Sequence, residues 1–177
     1  MIYHLCLFMI FLIISGCSKT TAFEHFKKLD SRQERAATSL QTASILKDGS
    51  RAVIVSVIYL NHTDPKIYDT NESFLIAFYA KDHSGLTVEN SDNGPASKYR
   101  LTLNKKPPLA IRTLKKTDPL RKLMPISNDW NSFYKIDYIK CSDGNLTLEI
   151  SGNRYGAAKM FFGKEIKFNP AFIRPGS

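Results

Sequence analysis

Carboxylates are the scarce charge in this chain: its 177 residues hold 16 Asp and Glu against 25 Lys and Arg, a formal net charge of +9. Cysteine is scarcer, occurring only at positions 6, 17 and 141, which excludes a metal site built from cysteines alone. No uninterrupted apolar run is long enough to cross a bilayer as a helix, which takes about 20 residues; the longest, Leu5–Ile14, stops well short. No histidine sits in an HExxH pattern and no serine in GxSxG, so the common zinc-hydrolase and serine-hydrolase signatures are missing. What remains is ordinary globular composition, 43% hydrophobic and 11% aromatic with nine Gly and eight Pro. That excludes collagen-like, low-complexity and wholly disordered chains and suits one domain.

The first sixteen residues, Met1–Gly16, contain no Asp, Glu, Lys or Arg, and apolar sequence gives way abruptly to polar sequence after Cys17. This pattern predicts a targeting segment over residues 1–16, outside the fold. Ile14-Ser15-Gly16-Cys17 resembles the lipobox of bacterial lipoproteins, in which a large apolar residue and two small ones precede a cysteine. The resemblance implies cleavage before Cys17, acylation of its thiol and amine, and a lipidated tether over 17–22. Two or three acyl chains hold a protein stably at a membrane where one is marginal. It also implies the bacterial cell envelope. Ser18, in place of the aspartate that retains many such proteins at the inner membrane, points to the outer membrane, facing the periplasm or the cell surface. Cys141 is then the lone thiol of the mature chain, and an intramolecular disulfide is excluded.

Between Phe23 and Lys47 there is no Gly or Pro, and Ala22, Phe26, Leu29, Ala36, Ala37, Leu40 and Ala43 recur at three- and four-residue steps. The spacing predicts an amphipathic helix over 23–47, closed by turn residues Asp48-Gly49-Ser50. The rest reads as strands. Residues 51–61 and 73–81 are β-branched or aromatic on both parities, as in central strands covered on both faces, whereas 98–104 alternates with Tyr99, Leu101 and Leu103 inward. Strands over 109–114, 133–140, 146–151 and 157–162 follow, with a short addition at 165–168 and turn clusters between. About seven short strands over 51–168 predict an antiparallel immunoglobulin-like β-sandwich, with a partly open barrel as the alternative; residues 169–177 read as a loose tail.

The strongest functional signal is charge. From Lys98 to Lys122 nine basic residues face the single acid Asp118. If 98–104 and 109–114 form a hairpin through Pro107-Pro108, Arg100 and Arg112 share a face and repel, and an anion would relieve them. Arg100, Lys105, Lys106, Arg112, Lys115 and Lys116 are therefore the candidate anion-binding residues. Lipopolysaccharide, anionic lipid and acidic glycan are the partners such a face would meet, beside envelope proteins. Nucleic acid is not expected for a lipid-anchored envelope chain.

Other constellations carry less. His25, His62 and His83 read as surface residues, Asp137 and Glu149 as partners of nearby lysines, and most tyrosines as core, though they and Trp130 could stack on sugars. Asp69-Thr70-Asn71-Glu72-Ser73 and Asp143-Gly144-Asn145-Leu146-Thr147 resemble the extended sequon of bacterial N-glycosylation, marking Asn71 and Asn145 as candidate glycosylation sites. No catalytic residue, metal or cofactor is expected. The function read from the sequence is a lipid-anchored envelope binding or assembly module that is not an enzyme. An accessory subunit using an apolar patch, or a hydrolase without a recognisable motif, stands as the alternative.

Overall fold

The structure, a computed structural model, describes residues 30–86, 99–126, 128–152 and 156–164. The leader with Cys17, the start of the expected helix, Lys98, the 91–95 turn, the 165–168 addition and the 169–177 tail lie outside the described residues.

The chain is mainly β, with eight strands in two antiparallel sheets among the described residues. Strands β1 (Gln41–Lys47), β2 (Ser50–Tyr59), β3 (Glu72–Ala80), β6 (Ser132–Tyr138) and β5 (Ala110–Thr113) form the larger sheet, in the order β1-β2-β3-β6-β5. The smaller sheet has the order β4-β7-β8, from Tyr99–Leu103, Asn145–Gly152 and Gly156–Gly163. Among the described residues two helices are short, α1 (Ser31–Thr38) and the single turn α2 (Leu60–Thr63), and a 3₁₀ turn covers Pro119–Leu123.

The helix expected over 23–47 is corrected in its second half, because Gln41–Lys47 is a strand. Helix α1 starts on a capping box, with the Asp30 side chain accepting from the first-turn backbone and Gln33 reaching back to the Asp30 N–H, and it ends at Ser39. Beyond that point the apolar spacing is two, not three or four: Ala43 and Ile45 turn inward, while Thr42 and Ser44 turn out. Asp48 and Gly49, both at positive φ (50° and 74°), form a two-residue hairpin turn that sets Lys47 opposite Ser50. Asp48-Gly49 thus joins two strands and does not close a helix.

Alternation then builds two cores on the two faces of the larger sheet. On the inner face Val53, Val55, Val57, Phe74, Ile76, Phe78, Tyr134 and Ile136 meet Tyr99, Leu101, Leu148, Ile150 and Phe162 of the smaller sheet. The aromatic rings there pack edge-on or tilted, as Phe74 does against Tyr138 (centroids 5.8 Å apart) and Phe162 (5.4 Å). On the outer face Ile58, Leu75, Ala77 and Phe133 are covered by Ala36 of α1, by Leu114 and by Leu123 and Met124 of the 3₁₀ region. Hence β2 and β3 are apolar on both parities: each is buried on both faces, as the sequence predicts. The sandwich closes along one side where β1 lies beside β8, and Gln41 Nε2 donates to the Phe161 carbonyl at 2.6 Å.

The expected hairpin of 98–104 with 109–114 does not form. Strand β4 pairs with β7, and β5 pairs with β6 in the opposite sheet. Asn104 and Lys105 turn the chain at positive φ. Pro107 and Pro108 then offer no N–H to a ladder, and pairing resumes only where the Leu109 N–H donates to the Asp137 carbonyl at 2.8 Å.

Candidate functional site

The sheet crossover divides the basic window. Arg100 is on β4 and Lys105 and Lys106 on the turn after it, all exposed at the smaller sheet. Arg112 is on β5 in the larger sheet, with Lys115 and Lys116 just beyond. Arg100 and Arg112 therefore share no face, and the two-arginine site expected from the sequence is corrected. Lys116 is held by Asp129 at 2.7 Å, with both groups well exposed.

Arg112 instead meets cations that are distant in sequence. Across the β5–β6 ladder it stands opposite Lys135, a like-charged pair in which each cation is offset by an acid of its own. Arg112 Nη1 contacts Asp118 at 2.7 Å, and Lys135 Nζ contacts Asp137 at 2.5 Å. Asp118 also caps the 3₁₀ turn through the Leu120 N–H, at 2.9 Å; that bond and the Arg112 guanidinium hold its carboxyl below the usual aspartate range. Arg32 of α1 faces Asp64 at 3.3 Å, off hydrogen-bond alignment. Lys122, on the 3₁₀ turn, is exposed and has no carboxylate partner among the described residues.

These four cations line one outer-face pocket of about 440 Å³, together with Asp30, Asp118 and the half-buried Tyr68. Burial raises the Tyr68 pKa, keeping the phenol a neutral donor. The lining carries four positive and two negative side chains, in a concavity large enough for a small ligand. Of the six residues singled out from the sequence, the pocket takes only Arg112. Arg32, Lys122 and Lys135 were not among them, because nothing in a linear window tells which sheet a strand will join.

A second polar cluster sits inside the molecule. Glu72 at the start of β3 is fully buried (0% exposed) and accepts hydrogen bonds from the Tyr59 hydroxyl, from Lys164 Nζ at 2.7 Å and from the Cys141 N–H at 3.0 Å. Desolvation alone would raise its pKa, but these donors outweigh it and the carboxyl lies below the ordinary glutamate value. Burial and the bond to Glu72 push the Tyr59 hydroxyl above its ordinary value. Lys164 also donates to the Cys141 carbonyl, and its own carbonyl lies 3.1 Å from His62 Nε2. This network ties β2 and β3 to the end of β8 and to the β6–β7 connection, and it lines neither outer-face pocket. With its carboxylate satisfied by three donors and shut away from solvent, it serves as a clamp between sheets.

The remaining candidates resolve simply. His83 is exposed, whereas His62 is half-buried and rests edge-on against Tyr59, 4.7 Å between centroids. Asp137 pairs with Lys135 as expected, while Glu149 pairs with Lys159 at 3.5 Å, not with Lys140. Ser-x-x-Lys spacing occurs at Ser44 and Ser132, both in strands, where it does not gather the two groups on one face as a helix would. The Asn71 sequon is tied down, with the Ser73 hydroxyl donating to Asp137 at 2.6 Å and its N–H to Asn61 at 2.8 Å; Asn145 opens β7 exposed. Among the described residues no group of three or more His, Cys, Asp or Glu could hold a metal ion, and no helix is long and apolar enough to cross a membrane. Comparison of the chain with protein-family models, with curated proteins and with solved structures gave no match.

Proposed function

We propose that this protein is a lipid-anchored binding module of the bacterial cell envelope that takes an anionic group of an envelope component in the pocket formed by Arg32, Arg112, Lys122 and Lys135. The convergence of those four side chains on one concavity is the observation that carries the reading. Phosphate or carboxylate suits it: arginine forks bind such groups with two parallel hydrogen bonds, and Lys122, which has no carboxylate partner among the described residues, adds charge. The reading is of a binder without catalytic chemistry, on an immunoglobulin-like scaffold. Strand order supports that scaffold: leaving out the added edge strand β1, β2-β3-β6-β5 and β4-β7-β8 follow the A-B-E-D and C-F-G orders of a seven-stranded immunoglobulin sandwich.

The anchor rests on Ile14–Cys17. Intact mass of the mature protein is expected to begin at Cys17 with acyl chains attached, and Cys17→Ser to abolish them; an unmodified N-terminus elsewhere removes the membrane claim. Binding is tested with vesicles of phosphatidylglycerol and phosphatidylcholine and with lipopolysaccharide. Affinity for the anionic surfaces is expected to fall steeply with added salt, since exposed charges are screened over about 8 Å at physiological ionic strength. Equal binding to neutral vesicles contradicts the reading.

A further inference from the structure

The other end of the same outer face holds a pocket of different chemistry. It measures about 420 Å³ and is floored by Ile54, Ala77 and Tyr79 of β2 and β3, with Ile126 and Trp130 from the segment before β6. Its remaining walls are hydroxyls and amides, from Thr42, Ser56, Asn128 and Asn131. In a chain of net charge +9 this lining contains no charged side chain among the described residues.

Trp130 is the feature that packing does not explain. It is the sole tryptophan and is 73% exposed, whereas Tyr59, Tyr99, Tyr134 and Tyr138 are all buried in the inner core. Its loop is nonetheless held in place: Asn128 Oδ1 accepts the Asn131 N–H at 3.0 Å, and on the sheet beneath, the Thr42 and Ser56 hydroxyls bond each other at 2.9 Å. The Trp130 indole N–H, the Tyr79 hydroxyl and the Asn131 amide make no side-chain hydrogen bond among the described residues. The site thus combines a large exposed ring, a second aromatic ring and unspent neutral donors and acceptors.

We infer that this pocket binds a neutral oligosaccharide, with Trp130 as the stacking platform and Asn128 and Asn131 reading ring hydroxyls. A pyranose presents an apolar C–H face to an aromatic ring and hydroxyls around its edge, matching the division of this lining into rings and uncharged polar groups. An ionic ligand would find no counter-charge among the described lining residues. An alkyl chain would bury the Tyr79 hydroxyl and the Asn131 amide, which have no side-chain partner among the described residues, at a cost for each. The inference is independent of the anion pocket, whose linings share no residue with this one.

Because Trp130 is the only indole, its fluorescence reports on this pocket alone. The protein is titrated with tri-N-acetylchitotriose, cellotriose and maltotriose, and a saturable change in Trp130 emission with at least one of them, insensitive to added salt, is the expected result. By calorimetry, Trp130→Ala is expected to weaken that sugar by about tenfold or more and Asn131→Ala by about threefold, with Trp130→Phe retaining part of the binding. Arg112→Gln with Lys122→Gln should leave it unchanged, which separates this inference from the anionic one. Trp130 is exposed, so circular dichroism of these variants should match the parent. No saturable response to any of the three sugars overturns the inference, as does sugar binding that Trp130→Ala leaves intact.

Discussion

The two faces of the larger sheet come from the same strands, yet they end in different states. The inner face meets a second sheet along its length, aromatic against aliphatic, with the Glu72 clamp at one end. Among the described residues the outer face receives an eight-residue helix and a 3₁₀ turn, which cover its middle around Ile58, Leu75 and Phe133 and leave a pocket on either side. Alternate residues of β2, β3 and β6 thus divide the work: one parity holds the molecule together and the other builds concave surface. Stability should be sensitive to substitution on the inner side, and binding on the outer.

The largest expected effect tests the inner side at its charged end. Glu72→Gln removes the anion facing Lys164 and should cost about 3 kcal/mol in chemical denaturation, since losing one partner of a buried pair strands the other. Replacing Lys164 by Met in the same variant should recover much of the loss. A cost below about 1 kcal/mol for Glu72→Gln would break the claim that this cluster clamps the sheets.

The same group sets a pH limit. Because the folded-state pKa of Glu72 is depressed below its ordinary value near 4.5, its contribution is present above that pH and is lost as pH falls through the folded value. Tyr59 and Tyr138 act in the opposite sense: with folded values raised above 10, their stability is fully present below pH 10 and is lost as pH rises beyond it. Urea midpoints across pH should fall at both extremes, and Glu72→Gln should flatten the acid limb.

A smaller effect of opposite sign comes from Tyr138, whose buried hydroxyl has no hydrogen-bond partner among the described residues. Tyr138→Phe should stabilise the protein by about 1 kcal/mol, the desolvation of an orphan hydroxyl being removed while the ring stays against Phe74. Smallest of all is Arg112→Gln. The Arg112 side chain is 56% exposed, so breaking its pair with Asp118 should change stability by no more than about 0.5 kcal/mol. A large loss there would mean that the outer face also carries the fold.

Much of this division was legible in the sequence, because burial on two faces leaves a composition that needs no partner to be read. The unbroken apolar character of residues 51–61 and 73–81 and the alternation of 98–104 marked central and one-sided strands correctly. Strand β1 is masked by coincidence: Leu40 and Ala43 fit helical spacing after a real helix, although Asp48-Gly49 between two β-prone segments is itself a hairpin signal. The basic pocket holds only Arg112 of the residues singled out for anion binding, with Lys122 at the end of the same window. Its other members come from α1, the 3₁₀ turn and β6, and the Pro107-Pro108 crossover that keeps Arg100 away from Arg112 is a choice between sheets that local sequence does not encode. The Glu72 clamp was not legible at all, since its groups come from four separate segments.

The claim that the outer face is the binding face is tested most directly by amide chemical-shift mapping of the ¹⁵N-labelled protein with two soluble probes, inositol hexakisphosphate and tri-N-acetylchitotriose. The account predicts that the phosphate probe shifts amides around Arg32, Arg112, Lys122 and Lys135, and the sugar those around Tyr79, Trp130 and Asn131. Shifts gathered instead at Arg100, Lys105 and Lys106 on the smaller sheet, or spread evenly over every exposed lysine, would contradict it.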